Sequence, residues 1–175
     1  WVAVAASVRA APLITEFMVS NTTTLPDADQ AFSDWIEIHN PDTAPVALTG
    51  WYLTDTATNK TRWQFPALTL PAGGYLVVFA SNKNRRVAGA ELHTNFALSA
   101  EGEYLALVKA DGTSVVSEYA PTYPAQSADV SYGLLLSTGG GRGPAFFPTP
   151  TPGAANSATD AVSLAATVRF SRPGG

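Results

Sequence analysis

The sequence contains no cysteine. Disulfides, thiolate metal sites and cysteine nucleophiles are therefore excluded, and thiol usage says nothing about the redox compartment. Charge is scarce as well. Only 14% of residues are charged, Lys and Arg number 10 against 14 Asp and Glu, and the net charge is −4 with a sequence pI of about 5.0. That balance argues against nucleic-acid binding, which needs clustered cations. The basic pair Arg85-Arg86, beside Lys83, reads as a solvated loop. No apolar run approaches the ~20 residues that cross a bilayer, and no 3.6-residue apolar stripe marks a helix.

What is present is apolar residues in short alternating runs. Hydrophobic residues make up 46% of the chain, so a packed core is affordable, and 13 Pro with 14 Gly punctuate it. Period-two runs cover Leu13–Ser20, Ser33–Asn40, Val46–Asp55, Arg62–Phe65, Leu68–Leu70, Tyr75–Ala80, Glu91–Leu98, Tyr104–Lys109, Ser114–Tyr119 and Asp129–Leu135. Asn40-Pro41-Asp42 closes one run, Gly50 allows a bend within another, and Asp111-Gly112 is the strongest hairpin signal. Short strands separated by turns, with no helices between them, predict an all-β antiparallel sandwich. Its inward residues are expected to be Leu13, Ile36, Ile38, Leu53, Leu76, Val78, Leu105, Leu107 and Val116.

Four segments follow from this reading. Residues 1–11 are expected to be the remnant of a signal peptide or an N-terminal arm, because Val8-Arg9-Ala10 puts Val and Ala at the −3 and −1 positions of a signal-peptidase site. Residues 12–137 form the sandwich. Residues 138–160 read as a Gly/Pro/Thr-rich linker packing partly on the domain, with Phe146 and Phe147 as its pins. Residues 161–175, where VSLAATVRF alternates again, read as the start of a following domain or a C-terminal strand arm.

The candidates for chemistry gather around SDWIEIHNP, Ser33 to Pro41. Asp27, Asp29, Asp34, Glu37 and Asp55 supply carboxylates. Asp27-Ala28-Asp29 could offer calcium several oxygens from one loop, yet it lacks the turn glycine and the spaced glutamate of such loops, so a polar loop is preferred. His39 and His93 are the only histidines, and their positions suggest neither a shared metal nor catalysis. Serine is plentiful, but no G-x-S-x-G context presents a nucleophile. No catalytic residue, cofactor-binding residue or metal ligand is assigned. Trp51 and Trp63 are expected to pack at the sandwich ends. With Ile36 and Ile38 inward, Trp35, Glu37 and His39 must share the outer face, and a loop or the tail is expected to cover Trp35.

The order of motifs adds a resemblance. Asp34-Trp35-Ile36-Glu37-Ile38 with Asn40, Gly50-Trp51 with Leu53 and Asp55, Phe65-Pro66, Leu70 and Gly73, then Asn95-Phe96, Leu98 and Gly102-Glu103, and finally Pro150-Thr151-Pro152-Gly153-Ala154-Ala155-Asn156 closely resemble the lamin tail domain, over about residues 12–156. The resemblance implies an immunoglobulin-like sandwich of the bacterial exported form, without enzymatic activity of its own. It further implies a structural or interaction module of a larger secreted or cell-surface protein, whose partners are other proteins or neighbouring domains of the same chain. No cofactor, nucleic acid or membrane insertion is expected, and the acidic chain lacks the basic patch that DNA contact needs. Two alternatives stay open: a subunit of an extracellular assembly that donates a terminal strand to a neighbour's sheet edge, with oligomers as the result, and a carbohydrate-binding module using outer-face aromatics.

Overall fold

The protein is described by a computed structural model that covers residues 10–136, 142–159 and 161. Among the described residues twelve strands follow in order: β1 (Leu13–Met18), β2 (Asp34–His39), β3 (Val46–Ala47), β4 (Tyr52–Thr54), β5 (Trp63–Gln64), β6 (Thr69–Leu70), β7 (Tyr75–Ala80), β8 (Leu92–His93), β9 (Leu105–Val108), β10 (Val115–Tyr119), β11 (Ser131–Leu136) and β12 (Arg142–Phe147). A six-stranded sheet runs β12-β11-β1-β2-β7-β8, a four-stranded sheet β10-β9-β4-β5, and β3 pairs with β6. Between the two larger sheets lies one core built from Ile14, Phe17, Ile36, Ile38, Leu53, Trp63, Val78, Leu105 and Leu107, among others. The expected sandwich is therefore present. One pair departs from the antiparallel pattern, because β8 lies parallel to β7.

Of the expected core residues, Leu13 and Val116 are not fully inward, and two β-bulges explain both. The β1–β2 register shifts between Ile14 and Glu16, so Ile14 and Phe17, an odd spacing apart, both point inward. Strict alternation from Leu13 fails at that extra residue. A second shift between Val115 and Ser117 leaves Val116 at a bulge of β10. Leu76 keeps its expected side and packs on the core, though it is only partly buried.

The run Val46–Asp55 divides into β3 and β4, which belong to different sheets. Gly50 makes the turn with φ of 77°, a value that favours glycine. Trp51 is half-buried against the core, whereas Trp63 lies inside it, edge-on to Phe65 with ring centroids 4.9 Å apart. Asp111 accepts the amides of Thr113 and Ser114, each at 2.8 Å, and so shapes the β9–β10 loop.

The largest departure is β12. Residues 142–147, expected as linker, form a hairpin arm with β11 in continuous register from Ser131↔Phe147 to Leu136↔Arg142. Gly143 and Pro144 hid this strand. A proline is tolerated there because β12 is a sheet edge, where its missing N–H leaves no ladder bond unmade. Ala10 and Ala11, at the end of the expected arm, and Pro12 line a small cleft with Asn40, Trp51 and Lys109. Trp1–Arg9 and Val162–Gly175 lie outside the described residues.

Candidate functional site

The strand β2 carries the outer-face residues that drew attention in the sequence, and none of them is open to solvent. Trp35 and Glu37 are 0% exposed and His39 is 9% exposed. Register explains the grouping: Trp35 lies opposite Phe79 on β7 and Met18 on β1, while Glu37 lies opposite Glu16. Trp35, Met18 and Phe79 form a separate apolar cluster, over which Leu25 packs from the β1–β2 loop. A loop therefore covers Trp35, as expected. Asn21 fixes that loop by donating to the carbonyls of Leu25 and Ser33 at 2.6 and 2.9 Å. At the other end of β2, His39 stacks on Tyr75 at 4.1 Å and its Nδ1 meets the Gly74 carbonyl at 3.1 Å. Burial lowers its pKa, against the pull of that carbonyl.

The middle of the face is a buried pair of carboxyls closed by the segment after β12, residues 148–156, called the strap below. Glu16 Oε1 accepts the Ser131 hydroxyl, and the Glu16 carboxyl accepts the Thr151 amide at 3.1 Å and the Thr151 hydroxyl at 3.0 Å. Glu37 accepts the Thr15 hydroxyl at 2.6 Å and the Gly153 amide at 2.7 Å. Asn156 then donates to the carbonyls of Thr15 and Leu134, both at 2.9 Å, while its Oδ1, 3.0 Å from Thr151 Oγ1, shares with Glu16 the single Thr151 hydroxyl proton. Thr15 is the bulged residue of β1, so its free carbonyl is what Asn156 reads.

Burial pushes the Glu37 carboxyl up to about 7, and the neighbouring Glu16 adds to the rise. Glu16 is also raised by burial, although its bonds from Ser131 and Thr151 oppose this. Three donors reach each carboxyl, and only Glu37 is raised by its neighbour's charge, so the pair is described as Glu16 ionised and Glu37 protonated near neutrality. Glu16, Thr15, Thr151 and Asn156 were not singled out as a site by sequence. The available signal was a lone glutamate inside the apolar strand LITEFM.

The remaining acidic candidates are neutralised locally. Asp27 accepts the amides of Asp29 and Ala31 and the hydroxyl of Ser33, and Lys83 bridges Asp27 and Asp29. Arg85 meets Asp29 at 2.6 Å. Burial would raise Asp27, but Lys83 and the converging donors leave it below its ordinary value. Arg85 and Lys83 likewise hold Asp29 low. Asp55 pairs with Arg62 at 2.5 Å. Asp34 receives the Leu98 amide at 3.2 Å, and burial raises it to about 6.

Two arrangements near this loop resemble chemical sites. Ligand atoms of Asp27, Glu91 and His93 lie within 4.8 Å of one another. The cation among them is already supplied, since the Lys83 ammonium sits on Asp27. Ser81 Oγ lies 2.8 Å from His93 Nδ1, and His93 Nε2 lies 2.7 Å from Glu91 Oε1. That chain has the connectivity of a nucleophile, base and orienting acid. His93, however, is 0% exposed beneath the Phe79 ring, and neither cleft described in this protein reaches it. It is a satisfied buried polar network that ties β8 to the β7 end.

One larger cleft, of about 290 Å³, opens between β10 and the β11–β12 hairpin, lined by Tyr119, Tyr123, Tyr132, Leu134 and Pro144. Two of its phenols are committed inside the fold. Tyr119 donates to the Ile14 carbonyl at 3.1 Å, and Tyr123 to the Ser99 carbonyl at 3.0 Å.

Comparison with known proteins agrees with this architecture. Residues 5–122 match the family described as Lamin Tail Domain. No curated protein matches the chain.

Proposed function

This chain belongs to the lamin tail domain family, and we propose that it serves as a non-catalytic immunoglobulin-like module that spaces or docks parts of a larger exported or cell-surface bacterial protein. The observation that carries this reading is the fate of the polar residues on the outer face. Glu16 and Glu37 hold the strap, Asp27 and Asp29 hold Lys83 and Arg85, and His93 is enclosed between Ser81 and Glu91. Groups that chemistry would need exposed are spent on closing the domain. Export is supported by the leader-like pattern of Val8-Arg9-Ala10.

The alternative of a carbohydrate-binding face loses one outer-face aromatic, because Trp35 is buried under Leu25. Among the described residues β5, β8, β10 and β12 end the two larger sheets, and strand donation to a neighbour would act at such edges. Migration in polysaccharide gels, together with a panel of chromogenic esters and glycosides, tests the module reading. Unretarded migration and no turnover above buffer are expected. Turnover lost on His93→Gln, or retardation by a glycan, would overturn it.

A further inference from the structure

The family match ends at residue 122, yet the domain's outer face is closed by residues 148–156. The strap makes no ion pair. Its hold consists of hydrogen bonds to two carboxyls that face each other across β1 and β2, plus the Asn156 bonds to β1 and β11. The titratable neighbours of Glu37 are few. Glu16 faces it from β1, the Tyr75 phenol from β7, and His39 lies along its own face of β2; the Tyr132 phenol of β11 and the Tyr119 phenol of β10, which feels the Glu16 charge, belong to the core, and the strap has no titratable side chain. Among the described residues no cation reaches the pair. Two like charges side by side in a dry site cannot both ionise cheaply while covered.

We propose that residues 148–156 are a pH-gated strap: it stays shut while the Glu16–Glu37 pair retains one proton and lifts when both carboxyls ionise. Lifting hydrates the two carboxylates. It also frees the nine residues of the strap, roughly 30 Å of reach at extended-chain dimensions. The spacing between this module and the rest of its protein then depends on pH, whatever partner the module serves. The size of the effect follows from linkage. A carboxyl that titrates at about 7 when covered and at its ordinary 4.5 when hydrated shifts the open-to-closed ratio about 30-fold between pH 5.5 and 8.5. The direction is fixed, since a group raised in the closed state favours closure in acid and opening in base.

Amide hydrogen exchange on the full 175-residue chain tests this, with rates corrected for intrinsic pH dependence. The expected result is a loss of about 30-fold in protection at Thr151, Gly153 and Ala154 from pH 5.5 to 8.5. Protection at Ile36 and Val78 should change far less, and Glu37→Gln should flatten the strap's profile. Glu16→Gln gives a second check: without the neighbouring charge, Glu37 titrates nearer its ordinary value and the pH effect shrinks. Equal protection at both pH values overturns the proposal. So does an unchanged profile in both variants, or a parallel fall at the strand amides, which would mean that the strap does not open by itself.

Discussion

Replacing Gly133 by alanine is the sharpest test of how the outer face is built. Gly133 on β11 lies opposite Glu16, beside the bulge of β1. An added Cβ would fall 2.0 Å from the Thr15 carbonyl oxygen and 2.8 Å from the Glu16 Cα. Ordinary contacts lie near 3.5 Å, so β11 and β1 must separate by more than about 1 Å. The obstacles are backbone atoms, which cannot rotate aside. Separation loses at least one ladder bond, about 1 kcal/mol, and adds overpacking strain of roughly 1–3 kcal/mol. It also disturbs the Ser131–Glu16 and Asn156–Leu134 bonds on either side. A total of about 3 kcal/mol corresponds to a fall of roughly 6–12 °C in Tm for a chain of this size. Thermal unfolding followed by circular dichroism measures it, with Gly143→Ala as the control, because nothing lies within 4 Å of a Cβ there. A Gly133→Ala protein within 1 °C of wild type would refute the close approach of β1 and β11.

Trp35→Ala should cost about 3–5 kcal/mol, the usual loss for a large buried aromatic, read by chemical denaturation; a change below 1 kcal/mol would mean that Leu25 does not cover the ring. Lys83→Met leaves Asp27 buried without its cation, and should destabilise by roughly 3 kcal/mol or more, a loss that Asp27→Asn in the same chain should partly restore. Thermal shift with millimolar calcium should leave Tm unchanged, since Lys83 and Arg85 already neutralise Asp27 and Asp29; a rise in Tm would reopen the calcium reading. Stability should be greatest on the acid side of neutrality. Glu37 and Asp34, raised to about 7 and about 6, contribute stability that is present below pH 4 and lost as pH climbs through those values. For Glu37 alone this is about 3 kcal/mol between pH 4 and pH 9. Asp111 and Asp129 act oppositely: hydrogen bonds hold them low, and their contribution disappears as pH falls below about 4. A stability maximum at pH 8 would contradict this assignment.

Much of the fold was legible because alternation is a local signal. Ile36, Ile38, Leu53, Val78, Leu105 and Leu107 take the inward side that period two assigns them. The signal failed wherever an extra residue reset its phase. At Thr15 the bulge moved the inward role from Leu13 to Ile14, and at Val116 a second bulge did the same. No local pattern marks such a residue before its partner strand is known. The strand β12 was hidden for another reason: Gly143 and Pro144 are poor strand formers, tolerated only because they lie on an edge.

The site was less legible than the fold. Sequence placed Trp35, Glu37 and His39 on one face, with a loop or the tail over Trp35, and the loop is what covers it. It could not see that Glu37 meets a second glutamate, because Glu16 enters the face only through the same bulge that broke the alternation of β1. Nor could spacing show that Thr151 and Gly153 return to it across more than a hundred residues of chain. The polar residues of this strand were placed on the outer face with a cover expected only for Trp35. Their partners proved to be hydroxyls, amides and a ring of the chain itself.

That the carboxyls of the outer face exist to hold the strap is the central claim, and a double-mutant cycle between Glu16 and Thr151 tests it most directly. Glu16→Gln, Thr151→Val and the double variant are compared by chemical denaturation at pH 6. The hydroxyl–carboxylate bond of 3.0 Å predicts a coupling of about 1–2 kcal/mol, as for a hydrogen bond to a charged group. Strictly additive losses, with coupling near zero, would contradict the account.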